Sequence, residues 1–318
     1  MGRIPRVKIS GSGATYHVMT RTAHQAFFFE DTYIKERIYR TVLDLADVYY
    51  VQLHSIAVMD NHYHIVLSML RPGLDVPDLK ARFERFQARK RIPMKWYSWR
   101  VDEWYQRLTD LSVFMKDLNR TISLEVNRRA GKVGSIWGER FKSVLIEEDA
   151  GLLACMVYVE MNCVRANLCR SPLSYRWCST GRFHLGGSNA AGVVVPKFDV
   201  FRQVLDDSGR LQVFSNLVDG LAQAELQGVK TPSFPELKQF QPQRWDALVE
   251  LALRRSKWLV HSVVVGSELF CRNIIERFDL QQGQHQEARP YRLTFNLYNE
   301  HVRAGPHATS LTHCPWYL

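Results

Sequence analysis

The sequence predicts an α+β fold: a ferredoxin-like split βαβ antiparallel sheet over residues 1–185, followed by a mainly helical C-terminal extension over 186–318. Three observations predict it. Strand and helix signals follow one another in the order strand, helix, strand, strand, helix, strand, helix through the first half of the chain. Apolar residues recur at alternate positions where strands are read, and three or four apart where helices are read. Near Gly186 the composition turns to Gly186-Gly187-Ser188 and Ala190-Ala191-Gly192, and mainly helical patterns follow. In this topology the helices are expected on one face of the sheet, with the other face open for chemistry.

Ala14 to Thr22 reads as the first strand, with Tyr16 and Val18 as core positions. Asp31 or Thr32 can cap a helix whose apolar stripe includes Ile34, Ile38, Val42 and Leu45. Val51 to Met59 reads as a second strand. Asp60-Asn61 supplies turn chemistry, and His62 to Met69 returns as a third strand, forming a hairpin. Pro72, Gly73 and Pro77 end that strand. Residues 71–109 interrupt the pattern with mixed basic and aromatic residues, Arg82, Phe83, Arg85, Phe86 and Trp96 among them. They are expected to fold as one helix and a loop rather than as a dedicated binding element. A helix resumes from Asp110 to Arg129 with Leu111, Phe114, Leu118, Ile122 and Val126 along one side, and Gly131 and Gly134 break it. Phe141 to Ile146 makes a short strand, and Asp149 caps a helix running to Ala166. In the extension, 200–205, 210–227 and 244–258 read as helices, punctuated by Pro232, Pro235 and Pro242.

The chain has 318 residues with 46% hydrophobic and 23% charged residues, a composition that buries a real core. Its net charge of +10 favours an anionic partner, of which nucleic acid is the commonest. No apolar run approaches the roughly 18 residues needed to cross a bilayer. The basic start, Met1 to Lys8, is not followed by an apolar core of signal-peptide length. Six cysteines, none in a C-x-x-C pair, argue against a zinc ribbon and against a disulfide framework. A reducing cytoplasm is therefore expected.

Three local features can carry chemistry. In Met59-Asp60-Asn61-His62-Tyr63-His64, the two histidines are two apart on a strand and project side by side, as ligands of one divalent metal could. Tyr63, Ile65, Leu67 and Met69 project to the opposite, core face. In Tyr158-Val159-Glu160-Met161-Asn162, Tyr158 falls away from the stripe of Leu153, Met156, Val157 and Met161, and Asn162 stacks one turn beyond it. The third feature is basic: Arg128, Arg129 and Lys132, then Trp137-Gly138-Glu139-Arg140-Phe141-Lys142-Ser143. Cations interleaved with aromatic rings suit a single nucleic-acid strand. Each feature also has a plain reading: surface histidines, a half-exposed helix tyrosine, and a solvated loop with a buried tryptophan.

These residues, in this order, resemble the single-tyrosine HUH transposases, in particular the REP-associated tyrosine transposases and their insertion-sequence relatives. The matching segments are Thr15-Tyr16-His17-Val18-Met19-Thr20-Arg21, the Met59 to His64 motif, Trp137 to Ser143, and Tyr158 through Cys163-Val164-Arg165-Ala166. The resemblance spans roughly residues 3–180. It implies that His62 and His64 bind Mg²⁺ or Mn²⁺, that Asn162 completes the metal shell, and that Tyr158 is the nucleophile. It further implies cleavage and rejoining of single-stranded or hairpin DNA through a covalent 5′-phosphotyrosine, in a cytoplasmic, nucleoid-associated protein. A homodimer is compatible with it. Two departures stand out: Cys163 replaces the proline common in the family, and residues 71–109 are longer than in compact members. Three rival readings share some of these features: an HUH nickase or relaxase, a sequence-specific DNA-binding protein without catalysis, and a metal hydrolase of small substrates.

Overall fold

The computed structural model describes residues 7–9, 13–90, 93–148, 150–186, 207–229, 262–278 and 291–292. The chain runs β1 (Ala14–Arg21), α1 (Thr32–Val48), β2 (Val51–Val58), β3 (His62–Met69), α2 (Val76–Lys90), α3 (Val101–Leu108), α4 (Leu111–Ala130), β4 (Lys142–Ile146) and α5 (Ala150–Arg165). It continues through α6 (Ser179–Gly186), α7 (Asp207–Gln227), β5 (Val264–Gly266), α8 (Glu268–Arg277) and β6 (Tyr291–Arg292). Among the described residues no helix is long and apolar enough to cross a membrane.

The sheet order is β2-β3-β1-β4-β5-β6. The first four strands are antiparallel and give the expected split βαβ order, with β1 hydrogen-bonded to both β3 and β4. β5 and β6 add in parallel beyond β4. These tail strands were not foreseen, because runs of two or three residues are too short to display a period. They cover the edge that β4 would otherwise leave unpaired.

On one face Tyr16, Val18, Ile56, Tyr63, Ile65 and Leu67 pack with Ile34, Ile38, Val42 and Leu45 of α1 and Phe114, Leu118 and Ile122 of α4. Asp31 caps α1 by accepting the Tyr33 N–H at 2.8 Å, and Asp110 caps α4 by accepting the Val113 N–H at 2.9 Å. Gly131 ends α4 in the left-handed region, at φ 62°, where an L side chain is disfavoured.

The expectation of helices on one face only is overturned. α5 lies on the opposite face, where Ala57, Met59, Val66, Val144 and Ile146 meet Leu152, Leu153, Met156, Val159 and Met161. The reason is in α5 itself. Its residues are apolar nearly all round, so one contact surface cannot bury them. The second surface comes from α7, whose Phe214, Leu217, Val218 and Leu221 join the same cluster.

The segment over 71–109 also differs from expectation, holding two helices rather than one. Phe83 and Phe86 stack edge-on against Trp104 at 4.7 and 5.4 Å. Three of its cations are paired, Arg82 with Asp78 inside the segment at 3.0 Å, Arg89 with Asp44 of α1 at 2.6 Å and Lys90 with Asp117 of α4 at 3.2 Å. The expected cap Asp149 and the helices read over 200–205 and 244–258 lie outside the described residues.

Candidate active site

Cross-strand pairing arranges the polar face of the central strands. Thr15, His17, Met19 and Arg21 of β1 stand opposite Ser68, Val66, His64 and His62 of β3. Alternation turns all of them toward α5, away from the Tyr16–Tyr63 core. His62 and His64 therefore lie side by side, ring centroids 5.1 Å apart. His17 joins them. Its Nε2 lies 2.8 Å from His64 Nδ1, and the two rings stack at 5.0 Å.

Tyr158 reaches this group from α5. Its ring meets His17 edge-on at 5.8 Å and His64 at 5.9 Å. Val157 and Val159 on either side are buried, whereas Tyr158 is partly exposed. Arg165, one side of the same helix, lies 5.9 Å from the Tyr158 ring and pairs with Glu225 of α7 at 3.2 Å.

Glu160 holds the helix in place. It is fully buried, and it accepts from Ser55 Oγ at 2.7 Å, Thr180 Oγ1 at 2.7 Å and the Thr180 N–H at 3.1 Å. One carboxylate thus ties α5 to β2 and α6. Burial raises its pKa above the usual carboxylate range, opposed by those three hydrogen bonds.

The electrostatics favour neutral imidazoles. Burial lowers His62 to about 4, with Arg21 adding to the effect. Burial, followed by the neighbouring His17, His62 and Arg21, holds His64 well below the ordinary histidine range. Burial pushes the Tyr158 hydroxyl up to about 12, against the opposing charges of Arg165 and Arg21. Near neutrality the site therefore holds two neutral rings and a protonated tyrosine.

This donor set fits a divalent metal. Metal-binding imidazole must be neutral, with its second nitrogen held by an acceptor. His62 Nδ1–H donates to Asn61 Oδ1 at 2.6 Å, which leaves the Nε2 lone pair free for a ligand. If His64 also presents Nε2, its Nδ1–H donates to His17 Nε2, and both rings adopt the same tautomer. Asn162 is less committed to this role: its Nδ2 donates to the carbonyls of Tyr158 at 2.8 Å and Val159 at 3.4 Å, so only Oδ1 remains for a metal. Among the described residues no group of three or more His, Cys, Asp or Glu is arranged to hold a metal.

The predicted DNA-contacting residues gather at the end of the sheet where β1 finishes and β3 and β4 begin, but they differ in commitment. Arg128 pairs with Glu125 at 2.6 Å, and Arg129 with Asp31 at 2.8 Å. Both sit on the α1–α4 side, across the sheet from Tyr158. Lys132 is exposed near the Phe28 ring at 5.9 Å. Trp137 anchors its loop: the indole N–H donates to Asn119 O at 3.1 Å, and the ring packs on Phe29 and Tyr63 at 5.9 and 6.0 Å. Gly138 lets this loop approach β1, since a Cβ there would meet Ala23 Cα at 3.2 Å and Thr22 O at 3.3 Å. Arg140 is exposed, and Lys142 opens β4 opposite Met19.

Sequence reasoning did not single out His17, Arg21 or Glu160. The first two were legible in principle. Once β1 is paired beside the histidine strand, its alternation puts Thr15, His17, Met19 and Arg21 on the histidine face. Glu160 carries no such signal, since a glutamate in a helix ordinarily faces water.

A solved structure described as the REP associates tyrosine transposase bound to a REP hairpin aligns with 65% of this chain and 90% of its own, at 13% identity and a TM-score of 0.35. No curated protein matches the chain. Residues 10–92 match the family model described as transposase, IS200 like. The matched residues carry His17, Arg21 and the His62–His64 pair.

Proposed function

We propose that the protein is a metal-dependent DNA strand transferase, which cleaves and rejoins single-stranded DNA through a covalent link to Tyr158. The observation that carries this reading is the convergence of Tyr158, from a helix late in the catalytic half, on a histidine pair from an early hairpin, at 5.9 Å from His64. A structural tyrosine has no need of two neutral imidazoles beside it.

In this reading His62 and His64 would hold Mn²⁺ or Mg²⁺, with Asn162 as the candidate third ligand. Imidazole donors suit manganese, whereas magnesium prefers oxygen. A bound divalent cation would offset charge on a non-bridging oxygen of the scissile phosphate. Tyr158 Oη attacks the phosphorus, forming the new P–O bond as the bond to the 3′-oxygen breaks. The tyrosine proton passes to water, and the departing 3′-oxygen takes up a proton to become a hydroxyl. The phosphoester is conserved on Tyr158, so an incoming 3′-hydroxyl can reverse the step and join a new strand. His17 and Asn61 keep the two imidazoles oriented, and Glu160 keeps Tyr158 over them.

The net charge of +10 and the cations at the site's end support a nucleic-acid substrate. The test is incubation of the full chain with labelled hairpin DNA bearing a single-stranded flank, with Mn²⁺ added. A covalent band on a denaturing gel, abolished by chelator, is expected, as is tighter binding of the hairpin than of blunt duplex. No band with equal affinity for both DNAs would replace this reading with plain DNA binding.

A further inference from the structure

Arg21 ends β1 where the site opens. It stands opposite His62, and two residues earlier Met19 stands opposite both His64 and Lys142. Directly opposed residues in an antiparallel pair project to the same face. Arg21 and Lys142 thus share the face of the two histidines, in adjacent rows. Arg21 is exposed and Lys142 partly so. Among the described residues neither makes an ion pair or a side-chain hydrogen bond. Their neighbours contrast with them. Arg128 and Arg129 are held by Glu125 and Asp31, and Arg165 by Glu225.

Two cations with no counter-ion among the described residues, side by side on the face that carries His62 and His64, offer a place for an anion. We propose that Arg21, with Lys142 behind it, binds a phosphodiester group of the substrate strand and holds it against Tyr158. This rests on the transferase reading for its chemistry, though not for the anion site. A guanidinium can grip two phosphate oxygens at once, which fixes orientation as well as charge. Attack by Tyr158 concentrates negative charge on those oxygens, so the contact strengthens as the reaction proceeds.

The experiment compares the wild-type chain with Arg21→Gln and Arg21→Lys. Formation of the covalent adduct is followed in a single turnover at saturating hairpin DNA with Mn²⁺. Arg21→Gln is expected to slow the step by about 100-fold, as for loss of one transition-state donor. Arg21→Lys keeps charge without the fork and should fall between. The salt dependence of binding should flatten by about 0.7 in log–log slope in the Gln variant. A Gln variant within about twofold of the wild-type rate, with an unchanged slope, overturns the proposal. A second readout needs no turnover: titration with inorganic phosphate, followed by the imidazole NMR signals of His62. Saturable shifts in wild type that vanish in Arg21→Gln support the anion site, even if no adduct forms and the transferase reading falls. No shift, or the same shift in both proteins, removes it.

Discussion

Replacing Glu160 by alanine tests how α5, which carries Tyr158, is held. The change leaves Ser55 Oγ, Thr180 Oγ1 and the Thr180 N–H without their acceptor. The hydroxyls can turn elsewhere, but the N–H is fixed by the backbone, and a buried unsatisfied donor costs about 1–3 kcal/mol. Adding the space left by the removed side chain brings the expected loss to about 3 kcal/mol. Glu160→Gln keeps the volume and an acceptor, and should cost about 1 kcal/mol at low pH. The pH dependence has a definite sign. Burial raises the folded pKa of Glu160, so the folded state holds its proton more tightly than the unfolded chain, where glutamic acid titrates near about 4.3. Its contribution is complete below that pH and is lost as pH rises toward the folded pKa, at up to about 1.4 kcal/mol per unit. Wild type should therefore lose ground to Glu160→Gln as pH rises from about 4 toward neutrality. Urea unfolding followed by tryptophan fluorescence across that range measures both effects. An alanine variant within about 0.5 kcal/mol of wild type, or a wild-type-to-Gln difference that ignores pH, would refute the anchoring argument.

Three further predictions concern the site. Tyr158→Phe should abolish the covalent adduct while hairpin binding stays near wild type, and an adduct at wild-type level would dismiss Tyr158 as the nucleophile. His62→Ala should eliminate Mn²⁺-dependent cleavage with little change in the urea midpoint; His64→Ala should do the same and also destabilise, because His64 is buried and bonded to His17. Full activity of both variants in metal-supplemented buffer would make the pair structural. Arg140→Ala should weaken single-strand binding and lower the salt slope by about 0.7, whereas Arg129→Ala, already paired with Asp31, should change it less; equal slopes in filter-binding measurements would refute the ranking.

Much of this was legible in the residues. The alternation of Tyr63, Ile65 and Leu67 against His62 and His64 assigned the two faces of β3, because a period of two leaves no other arrangement. The caps Asp31 and Asp110 and the stripe of α4 were equally direct. The failure was the position of α5. Reading Leu153, Met156, Val157 and Met161 as a stripe assumed one partner surface, yet Cys155, Val159, Cys163 and Val164 on the remaining sides are buried too. A helix apolar on every side shows no face, so its neighbours cannot be inferred from its period. That is also why the packing of α7 against it escaped notice. The commitment of individual cations to Glu125, Asp31 or Glu225 depends on tertiary neighbours and leaves no mark on local sequence.

Under the proposed function, the placement of the site residues has a consequence for the nucleic acid. His17, Arg21, His62 and His64 belong to interior strands, and Tyr158 rides on a helix clamped between that sheet and α7. Backbone amides in such positions open only with the greatest part of the fold, and would be among the slowest to exchange with solvent hydrogen. The protein half of the encounter is therefore stiff, and the accommodation falls to the partner. A duplex, straight over roughly 150 base pairs of persistence length, cannot fold one phosphate inward without melting or kinking. A strand freed from its complement rotates about every backbone bond. Selectivity for unpaired DNA can thus arise from the rigidity of the sheet alone, before any base is read.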